Sequence, residues 1–391
     1  MTPIRSRWAG GQGSRWESEQ VSPAHLLTCS PAHLLTCSLS PPLLVSLSAF
    51  ALPLLVYLLT LPPGITWANH GADAGDLITA ACTLGVPHPS GYPTYTLTGW
   101  LVCQIPLGSI AWRFNLLSAV GAAGGAWFLF KSVNLLACNV SGFRFQVSSS
   151  RPRTANPKPE TRNYKPETRN CNVAGLVAAW SLAFTPLVWS QVIITEVYGV
   201  NLFFVGLLLW LGLQVRQGKM RYLFWLGLVF GLSLGVHLTN LFLLPMLAFS
   251  FQLSAFSGQR SAVSQQQPFT IHRLPFTIYH SPSVLRLFSF LPAFALGLLI
   301  FAYLPLRAGK APVTWGTPDT LSGFWALVSG KIYHSYLFAA PLHLLDDRIL
   351  VSLRHLTGGG IFILILAGLG LLELWRWAKD LFWLTLLTSS F

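Results

Sequence analysis

The chain has 391 residues, of which 52% are apolar and only 9% are charged, far below the roughly 25% charged residues of an average soluble domain. Such a composition excludes a disordered segment, a coiled coil and a solvated enzyme domain, because each of these needs many more charged side chains. It is typical of an integral membrane protein. The net charge of +13 is compatible with nucleic-acid binding, but the positive-inside rule produces the same excess in a membrane protein.

Apolar runs along the chain predict transmembrane helices, since about 20 helical residues cross roughly 30 Å of hydrocarbon. Eight runs are long enough, at residues 43–61, 112–135, 173–194, 197–214, 222–237, 240–256, 287–306 and 358–375. A ninth begins near Leu381 and meets the last residue, Phe391, before it could cross. The sequence therefore predicts an all-α, polytopic transmembrane helical bundle with about eight full spans and a truncated ninth.

The basic residues predict the orientation of this bundle. With the N-terminus in the cytoplasm, 19 of the 25 Lys and Arg residues fall on the cytoplasmic side, as the positive-inside rule requires. This distribution removes the motivation for nucleic-acid binding. The predicted parts are a cytoplasmic N-terminal segment at 1–42 and a membrane domain at 43–391. Within the membrane domain, two outer loops are predicted at 62–112 and 307–356, and two cytoplasmic insertions at 139–171 and 257–286.

Three features of the sequence are not predicted to take part in catalysis or binding. Short tandem repeats, such as SPAHLLTC at 22–29 and 30–37, are too short to stack as solenoid units and are interpreted as loop expansions. Cys29 and Cys37 belong to such a repeat, the other four cysteines are interpreted as isolated, and no CxxC pair indicates a metal or redox site. The apolar segment Pro93–Leu107 is predicted to lie on the outer face as an interfacial helix, because counting it as a span would turn every later basic loop outward.

Acidic residues are scarce on the predicted outer side, and two of them form a pair. Asp73 and Asp76 lie three positions apart, which places both carboxylates on one face of a short helix. An N-cap followed by a first-turn acid is the structural explanation. A functional role is favoured for the pair because unpaired carboxylates near lipid are costly, and the loop 62–112 contains no Lys or Arg. General base, metal ligand and proton carrier are the chemical roles open to them.

Further polar residues lie at the predicted outer ends of the spans. Three prolines and two glycines between residues 84 and 95 predict a rigid turn that presents His88 and Tyr92; His88 is equally suited to contact substrate or to donate a structural hydrogen bond. Arg113 and Arg307 either reach lipid headgroups or bind a lipid-borne phosphate with their planar guanidinium groups. Two tight outer turns hold further candidates for binding or helix capping, Glu196 with Tyr198 and His237 with Asn240.

Several of these stretches, in the same order, resemble a family of polytopic membrane proteins that includes the animal endoplasmic reticulum protein O-mannosyltransferase. The resemblance covers about residues 43 to 340. The stretches that carry it are DAGDLITAA from Asp73, LGVPHPSGYP from Leu84, AWRFNLLSA from Ala111, WSQ from Trp189, EVY from Glu196, GLSLGVHLTN from Gly231, YLPLR from Tyr303 and WGTPDTLSGF from Trp315.

The resemblance implies the C-type glycosyltransferase fold, in which the first outer loop carries a catalytic acid and two surface helices. It implies transfer of mannose or a related hexose from a polyprenyl-phosphate donor to a protein or lipid hydroxyl on the outer side, with inversion at the anomeric carbon. Asp73 matches the family's first acid and is the implied general base. Asp76 stands where the family more often has Glu, and Trp315 is an implied substrate contact.

The implied reaction needs no cofactor, no nucleotide and not necessarily a metal, since a positioned carboxylate can take the hydroxyl proton. The expected location is the endoplasmic reticulum membrane in a eukaryote or the plasma membrane in a prokaryote. Two alternatives stay open. The acids could bind protons or cations in a transporter or lipid flippase, although such proteins place acids at mid-membrane depth, or the chain could be an inactive truncated member of the family.

Overall fold

The computed structural model describes residues 41–148, 168–245, 247, 282–336, 339, 341–357, 368, 369, 371, 372 and 375. The chain divides into two compact units, Met1–Pro41 and Pro42–Phe391, and the first lies outside the described residues except for Pro41. Also outside them are the N-terminal repeats, most of the predicted span 240–256, nearly all of the predicted span 358–375 and the ninth run. The predicted insertions are described only at their ends.

The regular secondary structure of the described residues is helical, apart from one isolated β-bridge between Val86 and Thr314. The α-helices are α1 Pro41–Thr60, α2 Ala74–Thr83, α3 Pro93–Cys103, α4 Ile110–Ser148, α5 Thr168–Ala183, α6 Pro186–Val192, α7 Val197–Arg216, α8 Tyr222–Leu234, α9 Pro282–Leu298, α10 Tyr303–Arg307, α11 Leu321–Val328 and α12 Leu345–Thr357. Short 3-10 turns add Ala68–His70, Leu238–Leu243, Leu299–Ala302, Lys331–Tyr336 and Leu342–Leu344. The all-α prediction is confirmed.

Within the described chain, four helical stretches are long and apolar enough to cross a membrane. They are Leu43–Thr60, Ile110–Cys138, Val197–Arg216 and Phe288–Arg307, and each coincides with a predicted span. The predicted span 173–194 is bent by 64° between α5 and α6, and would be a fifth span if the two helices cross together. The predicted span 222–237 is the 13-residue helix α8, shorter than a crossing helix needs. The described residues thus contain four or five candidate spans rather than eight.

Two short helices lie between the first two spans, as the sequence predicts. Helices α2 and α3 have 10 and 11 residues, and a disulfide between Cys82 and Cys103 joins their C-terminal ends. A second disulfide joins Cys138 to Cys171. The interpretation of these cysteines as isolated was wrong, because each partner becomes a neighbour only when two helices pack together.

Close contact between α4 and α7 forms the centre of the described bundle. Glycines allow it, since a Cβ atom at Gly121 would lie 2.7 Å from the carbonyl oxygen of Gly199, and one at Gly199 would overlap the carbonyl of Ser118. Small residues let helix backbones approach closely where lipid removes the hydrophobic driving force between helices. The contact matters for the site because the Ser118 hydroxyl donates a hydrogen bond of 2.9 Å to the backbone carbonyl of Glu196, which precedes α7.

We expect Gly199→Val to lower the free energy of unfolding by about 1 to 3 kcal/mol, the usual cost of adding side-chain volume to a packed contact. Thermal unfolding in detergent measures the effect. Gly75→Ala is the control, because no atom lies within 4 Å of the added carbon. Equal stability of the two variants would show that α4 and α7 are not in contact at Gly199.

Candidate functional site

The acidic pair begins helix α2, and its two carboxylates are in different environments. Asp73 precedes the helix, and its side chain makes no capping hydrogen bond, while Asp76 lies in the first turn. The side chain of Asp73 is 52% exposed and that of Asp76 is 22% exposed. Asp73 is therefore the carboxylate that an incoming molecule can reach.

His88 connects the two acids, which confirms that they share one face of the helix. Its Nδ1 lies 2.7 Å from Oδ2 of Asp76, and its backbone N–H donates to the same oxygen over 3.0 Å. Its Nε2 lies 3.6 Å from Oδ2 of Asp73. The rigid turn predicted around His88 thus folds back onto the start of α2 and places an imidazole between the carboxylates.

Trp315 completes the environment of Asp76 from the second outer loop. Its indole N–H donates to the other oxygen of Asp76, Oδ1, over 2.9 Å. The β-bridge holds this loop in place, because the N–H of Val86 donates to the carbonyl of Val313 over 2.8 Å and the N–H of Trp315 donates back to the carbonyl of Val86 over 3.0 Å. Both oxygens of Asp76 are therefore bound by protein groups, so Asp76 serves to hold His88.

The acid pair and the imidazole stabilise each other's charges. Burial by itself would raise the pKa of Asp76, but hydrogen bonds from His88 and Trp315 outweigh it, and the pKa is lowered. Burial would likewise lower the pKa of His88, but the hydrogen bond to Asp76 and the charges of both aspartates raise it. Both shifts therefore favour the charged forms, an imidazolium on His88 beside the carboxylate of Asp76.

These shifts predict how stability depends on pH. The contribution of Asp76 is present above its ordinary pKa of 3.8 and is lost as the pH falls through the lowered pKa. The contribution of His88 is present below its ordinary pKa of 6.5 and is lost as the pH rises through the raised pKa. We expect Asp76→Asn to cost about 1 to 3 kcal/mol, with the largest effect between pH 3.8 and 6.5.

Thermal unfolding of the wild type and of Asp76→Asn at several pH values measures this difference. Asp319→Asn, which changes an exposed acid of the predicted second outer loop, is the matched control. Its effect on stability should not peak in this pH range. A difference that does not vary with pH would contradict the charged pair.

Glu196 faces the cluster from the start of α7. It is only 4% exposed, and burial, followed by the negative charge of Asp73, raises the pKa of its carboxyl to about 7. Two contacts fix its backbone: Ser118 binds it directly, and the hydroxyl of the preceding Thr195 donates to Oδ1 of Asn115 over 2.6 Å. Glu196 therefore carries a proton for much of the time at neutral pH and can donate a hydrogen bond.

Aromatic rings line the space beside the acids. The ring of Tyr92 lies 5.1 Å from that of His88 and 6.5 Å from that of His237, and Tyr198 lies 5.9 Å from His237. The structure thus brings these predicted residues to the cluster. Asn240 is different: it is buried, and its amide donates to Asn201 over 2.8 Å and to the carbonyl of Ser233 over 3.1 Å, so it holds the turn after α8 together.

The two predicted phosphate-binding arginines both cap helices. Arg113 donates to the carbonyls of Val102, Cys103 and Ile105 at the end of α3. Arg307 donates to the carbonyls at the end of α2, over 2.7 Å to Leu84 and 3.4 Å to Thr83. A cation at a helix C-terminus satisfies free carbonyls and complements the helix dipole. Neither guanidinium has a hydrogen bond or ion pair with the acids among the described contacts.

Sequence reasoning missed two tyrosines of the site. The hydroxyl of Tyr303 donates to the carbonyl of Gly85 over 2.8 Å, next to the carbonyls that Arg307 binds. The pKa of Tyr333 is raised by burial and by the charges of Asp73 and Asp76. A tyrosine in a long outer loop has no local pattern that reveals this. Among the described residues no group of three or more His, Cys, Asp or Glu side chains is arranged to hold a metal ion.

The apolar helices and the carboxylate–imidazole cluster at the end of the bundle define a helical membrane protein with a polar candidate active site. Residues 73–259 match the model of the protein O-mannosyl-transferase TMEM260 N-terminal domain. Over these residues the chain is similar to the protein O-mannosyl-transferase TMEM260 family, which confirms the resemblance seen in its sequence.

Two relatives show the extent of this similarity. The chain is 30% identical to the mouse protein O-mannosyl-transferase TMEM260 over 282 residues, which are 71% of the chain and 33% of the mouse protein. It is 28% identical to protein O-mannosyl-transferase tmem260 of Dictyostelium discoideum over 161 residues, 40% of the chain and 15% of that protein. The chain thus spans about a third or less of these relatives. No solved structure gives a significant match.

Proposed function

We propose that this chain transfers a hexose, mannose or a related sugar, from a polyprenyl-phosphate donor to a hydroxyl group of a protein or lipid. The observation that carries the proposal is the acid cluster: an exposed Asp73 beside a His88 that Asp76 and Trp315 hold in place. The names of the relatives support the sugar and a protein acceptor. The polyprenyl-phosphate donor follows from the family resemblance.

In the proposed reaction Asp73 takes the proton of the acceptor hydroxyl. The oxygen attacks the anomeric carbon from the face opposite the phosphate, the bond between that carbon and the phosphate oxygen breaks, and the polyprenyl phosphate leaves with the electron pair. The configuration at the anomeric carbon inverts. General-base assistance of this kind contributes about 10² to 10⁴ in rate, and the reaction needs neither a nucleotide nor a cofactor.

The positive groups in this mechanism have separate tasks. His88 neutralises the acids and keeps Asp73 in position. Arg307 binds α2 through Nε and Nη2, and because a guanidinium carries five N–H donors, it keeps donors for the leaving phosphate. We assign Arg113, also predicted to bind phosphate, to holding the end of α3, since three carbonyls share its Nη1.

The remaining residues suit substrate binding. Tyr92, Tyr198 and His237 offer ring faces to the sugar, and a protonated Glu196 can donate to a sugar hydroxyl. An apolar cavity of about 600 Å³ between α1, α3, α4 and α7 suits part of an isoprenoid chain. Its lining residue Val200 lies one helical turn after Glu196 on α7.

We further propose the arrangement that the sequence predicts beyond the described residues. It comprises a C-type glycosyltransferase fold with further spans beyond the four or five of the described residues, a cytoplasmic N-terminus, and the acid cluster on the outer side of the endoplasmic reticulum membrane in a eukaryote. The transporter alternative is less well supported, because Asp73 and Asp76 belong to the short helix α2 rather than to a candidate span.

Transfer of radiolabelled sugar tests the proposed function. The chain in nanodiscs receives a panel of polyprenyl-phosphate sugars together with protein and lipid acceptors, and label in the two acceptor fractions is counted. We expect incorporation from polyprenyl-phosphate mannose or a close relative. Absence of incorporation from every donor, in a preparation that unfolds cooperatively, would reject the enzyme and favour an inactive family member.

A further inference from the structure

A cavity with a polar lining lies farther along the central helices, away from the acid cluster. It has a volume of about 260 Å³, and its polar lining residues are Ser46, Lys131, Asn134, Asn172 and Trp210. Lys131 lies 18 residues after Arg113 on α4, so a rise of 1.5 Å per residue separates the two by about 27 Å. That distance is close to the thickness of the hydrocarbon core.

Lys131 is the charged group of this cavity. Its Nζ lies 4.5 Å from the ring centre of Trp127, a cation–π contact that orients the ammonium group. Neither ion pair of the described residues involves Lys131, since both join His88 to an aspartate. A cation at a cavity mouth without a carboxylate partner in the described chain provides a site for an anion.

Neutral polar side chains surround the Lys131 ammonium group, and hydrogen bonds between them fix their positions. The indole N–H of Trp127 donates to the hydroxyl of Ser46 over 3.1 Å, and the amide of Asn134 donates to Oδ1 of Asn172. The four helices α1, α4, α5 and α7 each contribute a residue to the cavity. Amide and hydroxyl groups next to a lysine are the usual donors to phosphate oxygens.

The surroundings of the cavity are those of a membrane interface. Trp210 packs against Tyr222 with ring centres 5.4 Å apart, and Arg221 lies 5.0 Å over the ring of Tyr222. Interfacial aromatic residues are enriched at headgroup depth. Lys219 is also at this end of α7, and its Nζ donates to Gln214 over 2.7 Å.

We propose that this cavity binds the phosphate of an anionic phospholipid, in the leaflet on the side of the basic loops, with Lys131 as the main contact. Basic pockets between transmembrane helices bind anionic lipid headgroups in this way. The cavity is much larger than the ~30 Å³ that one water occupies in the liquid, so it can admit a phosphate group. This inference does not depend on the proposed sugar transfer.

Native mass spectrometry of the purified chain tests the proposal. The protein is equilibrated with mixed micelles of phosphatidylinositol 4-phosphate or of phosphatidylcholine, and retained lipid is counted. We expect the wild type to retain the anionic lipid and Lys131→Met to retain roughly a tenth of that amount or less, the loss expected for one charged hydrogen bond. Lys219→Met, at the same end of the helices, should bind like the wild type.

Two further arms make the result decisive. Unchanged retention in Lys131→Met, or preferential binding of phosphatidylcholine, would overturn the proposal. Inorganic phosphate is added as a competitor, and displacement of the lipid by phosphate at equal concentration would show a site for the free anion instead of a lipid. Thermal unfolding controls for folding, and if Lys131→Met unfolds early, Lys131→Arg replaces it and should keep the bound lipid.

Discussion

We expect Asp73→Asn to lower the rate of sugar transfer by about 10² to 10⁴-fold, the contribution of a general base. The substitution keeps the shape of the side chain and removes the atom that accepts the hydroxyl proton. Because the Asp73 carboxylate makes no helix-capping hydrogen bond and is 52% exposed, the fold should tolerate the change. Incorporation of labelled sugar in nanodiscs measures the rate, and thermal unfolding measures the stability.

Asp319→Asn is the matched control for this experiment. It removes one exposed acid from the other outer loop and should leave transfer within a factor of about two of the wild type, as surface substitutions away from special features usually do. If Asp73→Asn is as active as this control while Asp76→Asn is inactive, the assignment of the base to Asp73 is wrong.

The second large effect is expected for His88→Gln. The substitution removes a ring that binds both acids, and loss of a charged hydrogen bond costs about 1.5 to 3 kcal/mol, which corresponds to roughly a 10- to 100-fold fall in kcat. Asp76 also loses the hydrogen bond and the positive charge that lower the pKa of its carboxyl. We therefore expect the acid limb of the pH–rate profile to move to higher pH, because Asp76 is protonated at a higher pH and Trp315 then loses its charged acceptor.

The pH profile separates electrostatic positioning from simple damage to the fold. His334→Gln, which changes an exposed histidine of the second outer loop bonded only to a backbone carbonyl among its described contacts, should keep both the rate and the profile. A variant His88→Gln whose rate falls without any movement of the acid limb would show that His88 has a structural role and does not control the charge of the acids.

Patterns within short stretches of the sequence were sufficient to predict several parts of the site. The spacing of Asp73 and Asp76 placed their carboxylates on one helical face because the helix repeat is a property of the backbone. The prolines and glycines around His88 predicted a rigid turn for the same kind of reason. The reading of α3 as a helix that does not cross the membrane followed from the charge pattern, which left no place for another span.

Other parts of the site depend on partners that are distant in the chain. Trp315 reaches Asp76 across 239 residues, and a separation of 223 residues lies between Arg307 and Leu84. The position of this arginine at a span end shows its charge but not the carbonyls that accept from it. The disulfide of Cys82 and Cys103 was missed in the same way.

The sequence by itself determined the class of protein, the main spans and the acids, because hydrophobic length, charge asymmetry and helical spacing are local properties of a chain. Only the tertiary structure decided which acid is bound and which is reachable. That difference between Asp73 and Asp76 arises where the second outer loop docks on the first through the bridge at Val86. Docking of two loops is set by packing and by hydrogen bonds between distant backbone groups, which no local pattern of residues encodes.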